Sequence, residues 1–378
     1  MNVFIIAGEA SGDKLGAALM DGLSELRPNV VFNGIGGQMM TQRGLTSQFE
    51  MSELSVMGIA EVLPKYFHLK RRIRETADAI LAQKPDVVVT IDSPDFCLRV
   101  AKLVKPVSDI RIVHYVAPSV WAWRPKRADK MAALVDQVLA LLPFEPPYML
   151  AAGVRCDFVG HPVTTETVAD AIAVTAFKAK HGLGEATLIA LPGSRRGEVG
   201  RLSERFGQAI AEFGRDHPDL QVILPVAPGL EDLVRQQVAD WPVKPILLTG
   251  TFDKSAAFQS ARIALAASGT VSLELAAAGT PMVIAYDMNW LSRRLIKRML
   301  RIDTVTLVNL VANSRTVPEF IGDKCLPDDI ANALTKLWDH PDAQNDAMQI
   351  TMEKLGRGAE KPGLRAARAV LDGLELSV

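Results

Sequence analysis

At 378 residues, 48% apolar and 22% charged with a net charge of −1, the chain suits two domains of ordinary size and has no global field to draw nucleic acid. Its three cysteines, Cys97, Cys156 and Cys325, form no C-x-x-C pair, which suits a reducing cytosol and excludes a disulfide framework or a zinc ribbon. The opening apolar run is too short for a signal peptide, and no window approaches the ~18 apolar residues of a membrane span, so membrane contact is expected to be peripheral.

Residues 3–7 read as a buried strand, followed by Gly8-Glu9-Ala10-Ser11-Gly12-Asp13 and an amphipathic helix over 15–26. A strand, a Gly-containing turn and a helix open an α/β domain. The turn is not a P-loop: Gly8 and Gly12 are one residue too close, and Leu15 stands where that motif has a metal-binding hydroxyl. Two readings of it stand. Glu9, Ser11 and Asp13 line a site for a sugar or hydroxylated acceptor, or the stretch is simply a tight turn.

A second strand over 30–34 leads to Gly36-Gly37. Residues 56–74 are apolar first (Val56, Met57, Ile59, Val62, Leu63) and basic afterwards (Lys65, Lys70, Arg71, Arg72, Arg74). Residues 86–91 form the clearest strand of the first half and end at Asp92-Ser93-Pro94-Asp95. Open α/β sheets bind ligands beyond the carboxyl ends of their strands. Asp92 is therefore a candidate general base, while Asp95 reads as a helix cap. A strand over 110–115 runs into a loop holding Trp121 and Trp123 with Arg124, Lys126 and Arg127, a mixture that suits a sugar or an anionic acceptor as well as plain packing. Another strand covers 138–142.

Residues 163–180 read as a helical linker, after which the alternation restarts. A strand over 188–191 leads to Pro192-Gly193-Ser194-Arg195-Arg196. A Gly/Ser turn with two arginines suits diphosphate, through charge and fork-shaped donors. A helix over 202–213, a strand over 222–225, a helix over 230–239 and a strand over 246–249 follow. Residues 263–267 are then a strand, 271–278 a helix stopped by Gly279 and Pro281, and 282–286 a strand. In the first turn, Ser268 and Thr270 flank Gly269 where the helix begins. Free N–H groups and the helix dipole there favour a phosphate. Glu274 lies one turn on, on the face of Thr270, placed to accept hydrogen bonds from a ribose diol. The alternative is that the hydroxyls cap the helix and Glu274 complements its dipole.

Two successive sets of alternating strands and helices make two doubly wound, Rossmann-like domains facing a cleft. The first is expected over 1–165, holding the acceptor, and the second over 175–345, holding a nucleotide-sugar. The last helices, over 346–378, are expected to pack back on the first domain or on a partner subunit in a homodimer. Residues 290–301 interleave Trp290, Leu291, Leu295 and Ile296 with Arg293, Arg294, Lys297, Arg298 and Arg301. With 56–74, this pairs apolar residues with local positive charge, the signature of an interfacial surface that meets anionic headgroups. The alternative is ordinary amphipathic helices packed inward with solvated basic faces.

Taken together and in order, Gly8-Glu9-Ala10-Ser11-Gly12-Asp13, Ile91-Asp92-Ser93-Pro94-Asp95-Phe96, the segment from His114 to Trp123, Leu191-Pro192-Gly193-Ser194-Arg195 and Ala267-Ser268-Gly269-Thr270 resemble the lipid-A-disaccharide synthase family. The resemblance implies the GT-B fold and an inverting glycosyltransferase. Such an enzyme joins UDP-2,3-diacylglucosamine to the 6-hydroxyl of 2,3-diacylglucosamine 1-phosphate (lipid X), makes a β-1,6 disaccharide and releases UDP. It implies catalytic roles for Asp92, Arg195 and Asn309, although Val308 stands where the family often has Pro. Acylated substrates imply a peripheral place on the cytoplasmic face of the inner membrane. No cofactor is expected, and with no Asp-x-Asp pair the reaction is expected to be metal-independent. Two rivals share parts of this pattern: a GT-B UDP-sugar epimerase, and a non-catalytic nucleotide-sugar or lipid-binding protein.

Overall fold

A computed structural model describes residues 1–54, 59–289, 293–294 and 299–376, with the backbone alone for 59–65. The chain divides into two compact units, Met1–Pro162 with Gly358–Val378, and Val163–Arg357.

The first unit is built on a seven-stranded parallel sheet. Its strands are β1 (Asn2–Ala7), β2 (Val31–Ile35), β3 (Thr46–Ser47), β4 (Val87–Ile91), β5 (Arg111–Tyr115), β6 (Gln137–Ala140) and β7 (Arg155–Phe158). They lie in the order β3-β2-β1-β4-β5-β6-β7. Val3 pairs with Phe32 on one side and Val87 on the other, and Ile91 pairs with Tyr115. Every residue of β4 is buried, as a sheet covered on both faces requires. Alternate residues feed two cores. Val3, Ile5, Val87 and Val89 pack on helix α1 (Ala10–Leu26) and on Ala366, Ala367 and Val370. Phe4, Ile6 and Val88 pack on the other side, on Ile73, Ile80, Phe96 and Val100.

Helix α1 begins at Ala10, five residues before the expected start. Gly12 and Asp13 are buried in its first turn, and both are too polar or small for hydrophobic periodicity to flag them. The last three helices divide between the units. Those over Pro327–Asp339 and Asp342–Lys354 pack within the second unit, and only the one over Pro362–Glu375 packs on α1. The α1 crossing is close because it is built on glycine. A Cβ on Gly363 would fall 2.4 Å from the Ala18 carbonyl oxygen, and one on Gly22 2.7 Å from the Gly363 carbonyl oxygen.

The second unit carries a six-stranded parallel sheet of β8 (Thr187–Leu191), β9 (Gln221–Pro225), β10 (Ile246–Leu248), β11 (Ile263–Ala267), β12 (Met282–Tyr286) and β13 (Glu319–Ile321). Their order is β10-β9-β8-β11-β12-β13. Leu188, Leu265 and Val283 share a core with Leu202, Phe206, Ile330 and Leu334. The helix after β8 runs over Arg196–Gly214, six residues earlier than expected. Its first turn holds Arg196, Gly197 and Glu198, and such a polar start carries no apolar period.

In each sheet the strand order reverses at one place: between β1 and β4 in the first unit, and between β8 and β11 in the second. Crevices at the carboxyl ends of strands flanking such a reversal are the ligand sites of doubly wound sheets.

Candidate functional site

The reversal in the second unit opens a cavity of about 650 Å³. The turn after β8 supplies Gly193, Ser194, Arg195 and Glu198 to its wall, and the turn after β11 supplies Ser268, Gly269, Thr270, Val271 and Glu274. Ser194, Arg195, Ser268, Gly269, Thr270 and Glu274 thus line one cavity, while Arg196 does not. Pro225, Val226, Pro228, Phe252 and Phe258 make an apolar wall from the segments after β9 and β10. An apolar wall facing two hydroxyl-bearing turns is what a base and a diphosphate together need.

The helix after β11, Val271–Ala278, begins and ends where the residues place it, and Gly279 closes it in the left-handed region at φ +73°. Thr270 occupies the cap position, yet its hydroxyl does not cap the helix. The Ser272 hydroxyl instead donates to the Gly269 carbonyl at 2.9 Å. A Cβ at Gly269 would meet nothing within 4 Å, so this turn faces open space and admits a ligand against its backbone.

At the other turn, Arg195 takes the cap position of the helix over Arg196–Gly214 with extended backbone. Glu198 folds back over it. Its carboxylate accepts from the Ser194 N–H at 3.1 Å and pairs with the Arg195 guanidinium at 3.1 Å. Gly193 makes this possible: at φ +121°, a Cβ there would fall 2.5 Å from that of Glu198. The Ser194 amide is thereby committed to Glu198. The guanidinium of Arg195, two-thirds exposed, remains at the cavity wall. Glu274 is only 27% exposed and pairs with Lys254 at 2.6 Å. Lys254 lines the same cavity. Sequence reasoning missed this residue, because its partner lies 20 positions away.

The reversal in the first unit brings together the turns after β1 and β4. A Cβ on Gly8 would fall 2.3 Å from the Ser93 hydroxyl oxygen, so the two turns touch. Glu9 is half-buried and Ser11 exposed beside them. Asp92 and Ser93 lie in the left-handed region at φ 49° and 42°, and Val116, after β5, at φ 86°. Such backbone costs about 1–3 kcal/mol per residue and gathers at functional sites. The sheet ladder pins it in place. The Asp92 N–H donates to the Tyr115 carbonyl at 3.0 Å, and the Val116 N–H to the Leu139 carbonyl at 2.9 Å. The half-buried Asp92 carboxyl group thus sits on a strained, fixed corner at the strand end. The neighbouring loop is fastened through Trp121, whose ring N–H donates to the buried Glu145 carboxylate at 3.2 Å and whose ring stacks edgewise on Phe144.

Three expected site residues are used differently. Asp13, expected in the acceptor site, is 5% exposed and accepts from the Gly37, Met39 and Met40 N–H groups at 2.9, 2.9 and 3.1 Å. It holds the turn after β2 and is buried there, out of reach of a sugar. Arg293, expected at a membrane surface, is bound to the buried Asp287 carboxylate through Nε at 2.9 Å and Nη2 at 2.7 Å, and reaches Asp323 as well. Asn309 is 1% exposed. Its amide donates to the Val317 carbonyl at 2.9 Å and the Thr304 hydroxyl at 3.2 Å, while its oxygen accepts from the Val317 N–H at 3.0 Å. That makes it a positioning residue for the segment 304–317. Arg294 is exposed, while Met57, Lys297 and Arg298 lie outside the described residues. Among the described residues, no helix is long and apolar enough to cross a membrane.

Comparison with known proteins places this geometry. The chain is 61% identical to a lipid-A-disaccharide synthase of Ruegeria pomeroyi over 99% of its length and 96% of that protein's. It is 46% identical to one of Rhodospirillum centenum over 98% and 94%. Among solved structures, it is similar to a UDP-GlcNAc 2-epimerase from Neisseria meningitidis bound to UDP-GlcNAc (TM-score 0.63, 14% identity, all of both chains). It is equally similar to a glycosyltransferase from Rickettsia africae (TM-score 0.63, 10% identity, 100% and 98% of the chains). These likenesses show the GT-B fold. A model of the family described as lipid-A-disaccharide synthetase matches residues 3–368, and the chain belongs to that family.

Proposed function

We propose that this chain is a lipid-A-disaccharide synthase: a hexosyltransferase that moves 2,3-diacylglucosamine from its UDP derivative to the 6-hydroxyl of lipid X, with inversion. The observation that carries the reading is the cavity at the β8/β11 reversal, where Arg195, Ser268, Gly269, Thr270 and Glu274 share one wall. UDP is a good leaving group and needs no protein acid. It needs stabilisation of the charge that develops on the departing diphosphate. Arg195 and the N–H groups of the turn 268–270 supply this without a metal ion. Asp92 takes the proton of the acceptor hydroxyl, a step that needs one base. Its strained, pinned backbone favours a carboxylate held in a single direction. Asn309 contributes by holding the segment 304–317 in shape.

The epimerases share the fold at 14% identity, whereas synthases match at up to 61% over nearly the whole chain, which favours transfer over epimerisation. The deciding assay follows UDP release from the donor. Release only when lipid X is present supports transfer. Release or epimer formation without it refutes transfer, and no turnover refutes catalysis.

The acylated substrates also place the protein on a membrane surface. In support, Phe67 is 81% exposed and Tyr66 beside it 43%, and Arg294 is exposed close by in sequence to Lys297 and Arg298. Exposed aromatics on the first unit and local positive charge on the second each suit an anionic leaflet.

A further inference from the structure

The cavity at the β8/β11 reversal has a second cavity of about 350 Å³ behind it, and Phe252, Lys254, Phe258 and Glu274 line both. The Lys254–Glu274 ion pair stands in this common wall. The Lys254 ammonium meets Glu274 Oε2 at 2.6 Å and lies 5.4 Å from the centre of the Phe258 ring. It is thus held from two sides, by a carboxylate and by a ring face that attracts cations.

Lys254 is the first residue of a helix, Lys254–Ser260. A cation there opposes the helix dipole, which favours acidic groups at that end. The helix itself is capped by Asp253, which accepts from the Ala256 N–H at 2.9 Å. Lys254 therefore does not cap its own helix, on which it meets only the Phe258 ring, and its carboxylate partner lies on another helix.

We infer that Lys254 is a positioning residue that makes Glu274 a reader of ribose hydroxyls, and so sets the site's preference for a ribonucleoside diphosphate. The inference rests on the nucleotide reading above. A carboxylate on a cavity wall can rotate and can turn to solvent. Binding one oxygen to a fixed ammonium sets the carboxylate plane and directs the other oxygen. Two hydroxyls on one sugar edge are the donors that such an oriented carboxylate selects.

The test compares UDP with its 2′,3′-dideoxy analogue by calorimetry, on the wild type and on Lys254→Met, Lys254→Arg and Glu274→Ala. Met keeps the stem on Phe258 and removes an unfavourable charge from a helix start, so the variant is expected to fold, as its melting curve checks. The wild type is expected to prefer UDP by about tenfold or more, the loss of one charge-assisted bond. Lys254→Met is expected to lose about tenfold toward UDP but less than about twofold toward the analogue. Its preference should then fall to that of Glu274→Ala, with Lys254→Arg keeping most of it. Equal weakening toward both ligands would overturn the inference, since that marks a general field on the diphosphate. Unchanged UDP affinity in Lys254→Met, or no preference in the wild type, would overturn it too. A wild type that binds neither ligand overturns the nucleotide reading and this inference with it.

Discussion

Asn309→Ala separates two roles that a loss of activity alone would confuse. The amide holds both main-chain groups of Val317, the carbonyl at 2.9 Å and the N–H at 3.0 Å, and the residue is 1% exposed. Val317 is itself buried. Alanine leaves both of these buried groups without their partner, at roughly 1–3 kcal/mol each. The Thr304 hydroxyl, which accepts from the same amide and donates to Glu319 at 2.6 Å, loses one contact of two. The expected destabilisation is about 3–5 kcal/mol. In a unit of this size that lowers the melting temperature by about 10 °C. Scanning calorimetry of the full chain reads the loss directly, with turnover measured well below the new melting point. Asn309→Asp keeps the acceptor for the Val317 N–H and sets a carboxylate against its carbonyl, so it should melt lower as well. A variant that melts within about 2 °C of the wild type, yet turns over more than a hundredfold more slowly, would refute a positioning role and return Asn309 to direct contact with substrate.

Asp92→Asn is expected to keep the fold and lose ~10²–10⁴-fold in turnover, the usual contribution of a general base; more than about a tenth of wild-type rate would remove Asp92 from that role. Burial pushes the Glu145 carboxyl up to about 7 from 4.5, so between these values the folded state binds the extra proton and stability falls as pH rises. That loss amounts to about 2–4 kcal/mol and is complete above about pH 7; Glu145→Gln should flatten the melting temperature between about pH 5 and pH 8, and parallel curves would refute the assignment. Replacing Arg294, Lys297 and Arg298 with Ser, and leaving Arg293 on its buried aspartate, should release the protein from anionic vesicles at low salt, each charge contributing ~1 kcal/mol. Equal co-sedimentation of that variant, or none by the wild type, would remove the membrane surface from the proposal.

The stretch from β11 to β12 was legible to the residue because its turns are written in glycine and proline: Gly269 opens the helix, while Gly279 and Pro281 close it. The lining of the cavity at the β8/β11 reversal was legible for the same reason, since Ser194, Arg195, Ser268, Thr270 and Glu274 all follow strands whose apolar runs are unmistakable. What escaped depends on partners remote in the chain. Nothing near Asp13 announces that its acceptors' needs lie with three amides at 37–40. Arg293 reads as one cation in a basic run until Asp287 is found beneath it. Lys254 reads as an ordinary surface lysine. The family resemblance pointed to Asn309 but could not show that its amide is spent on Val317. The strained corner at Val116 has no sequence signal at all, because a β-branched residue is the last one expected at positive φ.

The helix over Pro362–Glu375 closes a core whose strands begin at Asn2. The order of synthesis and the order of completion therefore differ. The unit over Val163–Arg357 is continuous and can finish as soon as its own residues have left the ribosome. The unit that starts first must wait, with the side of α1 that the last helix covers still exposed, until almost the whole chain is made. A chain cut short after Arg357 would hold a finished second half beside an unfinished first half, and the unfinished half would be the one that proteases and chaperones recognise.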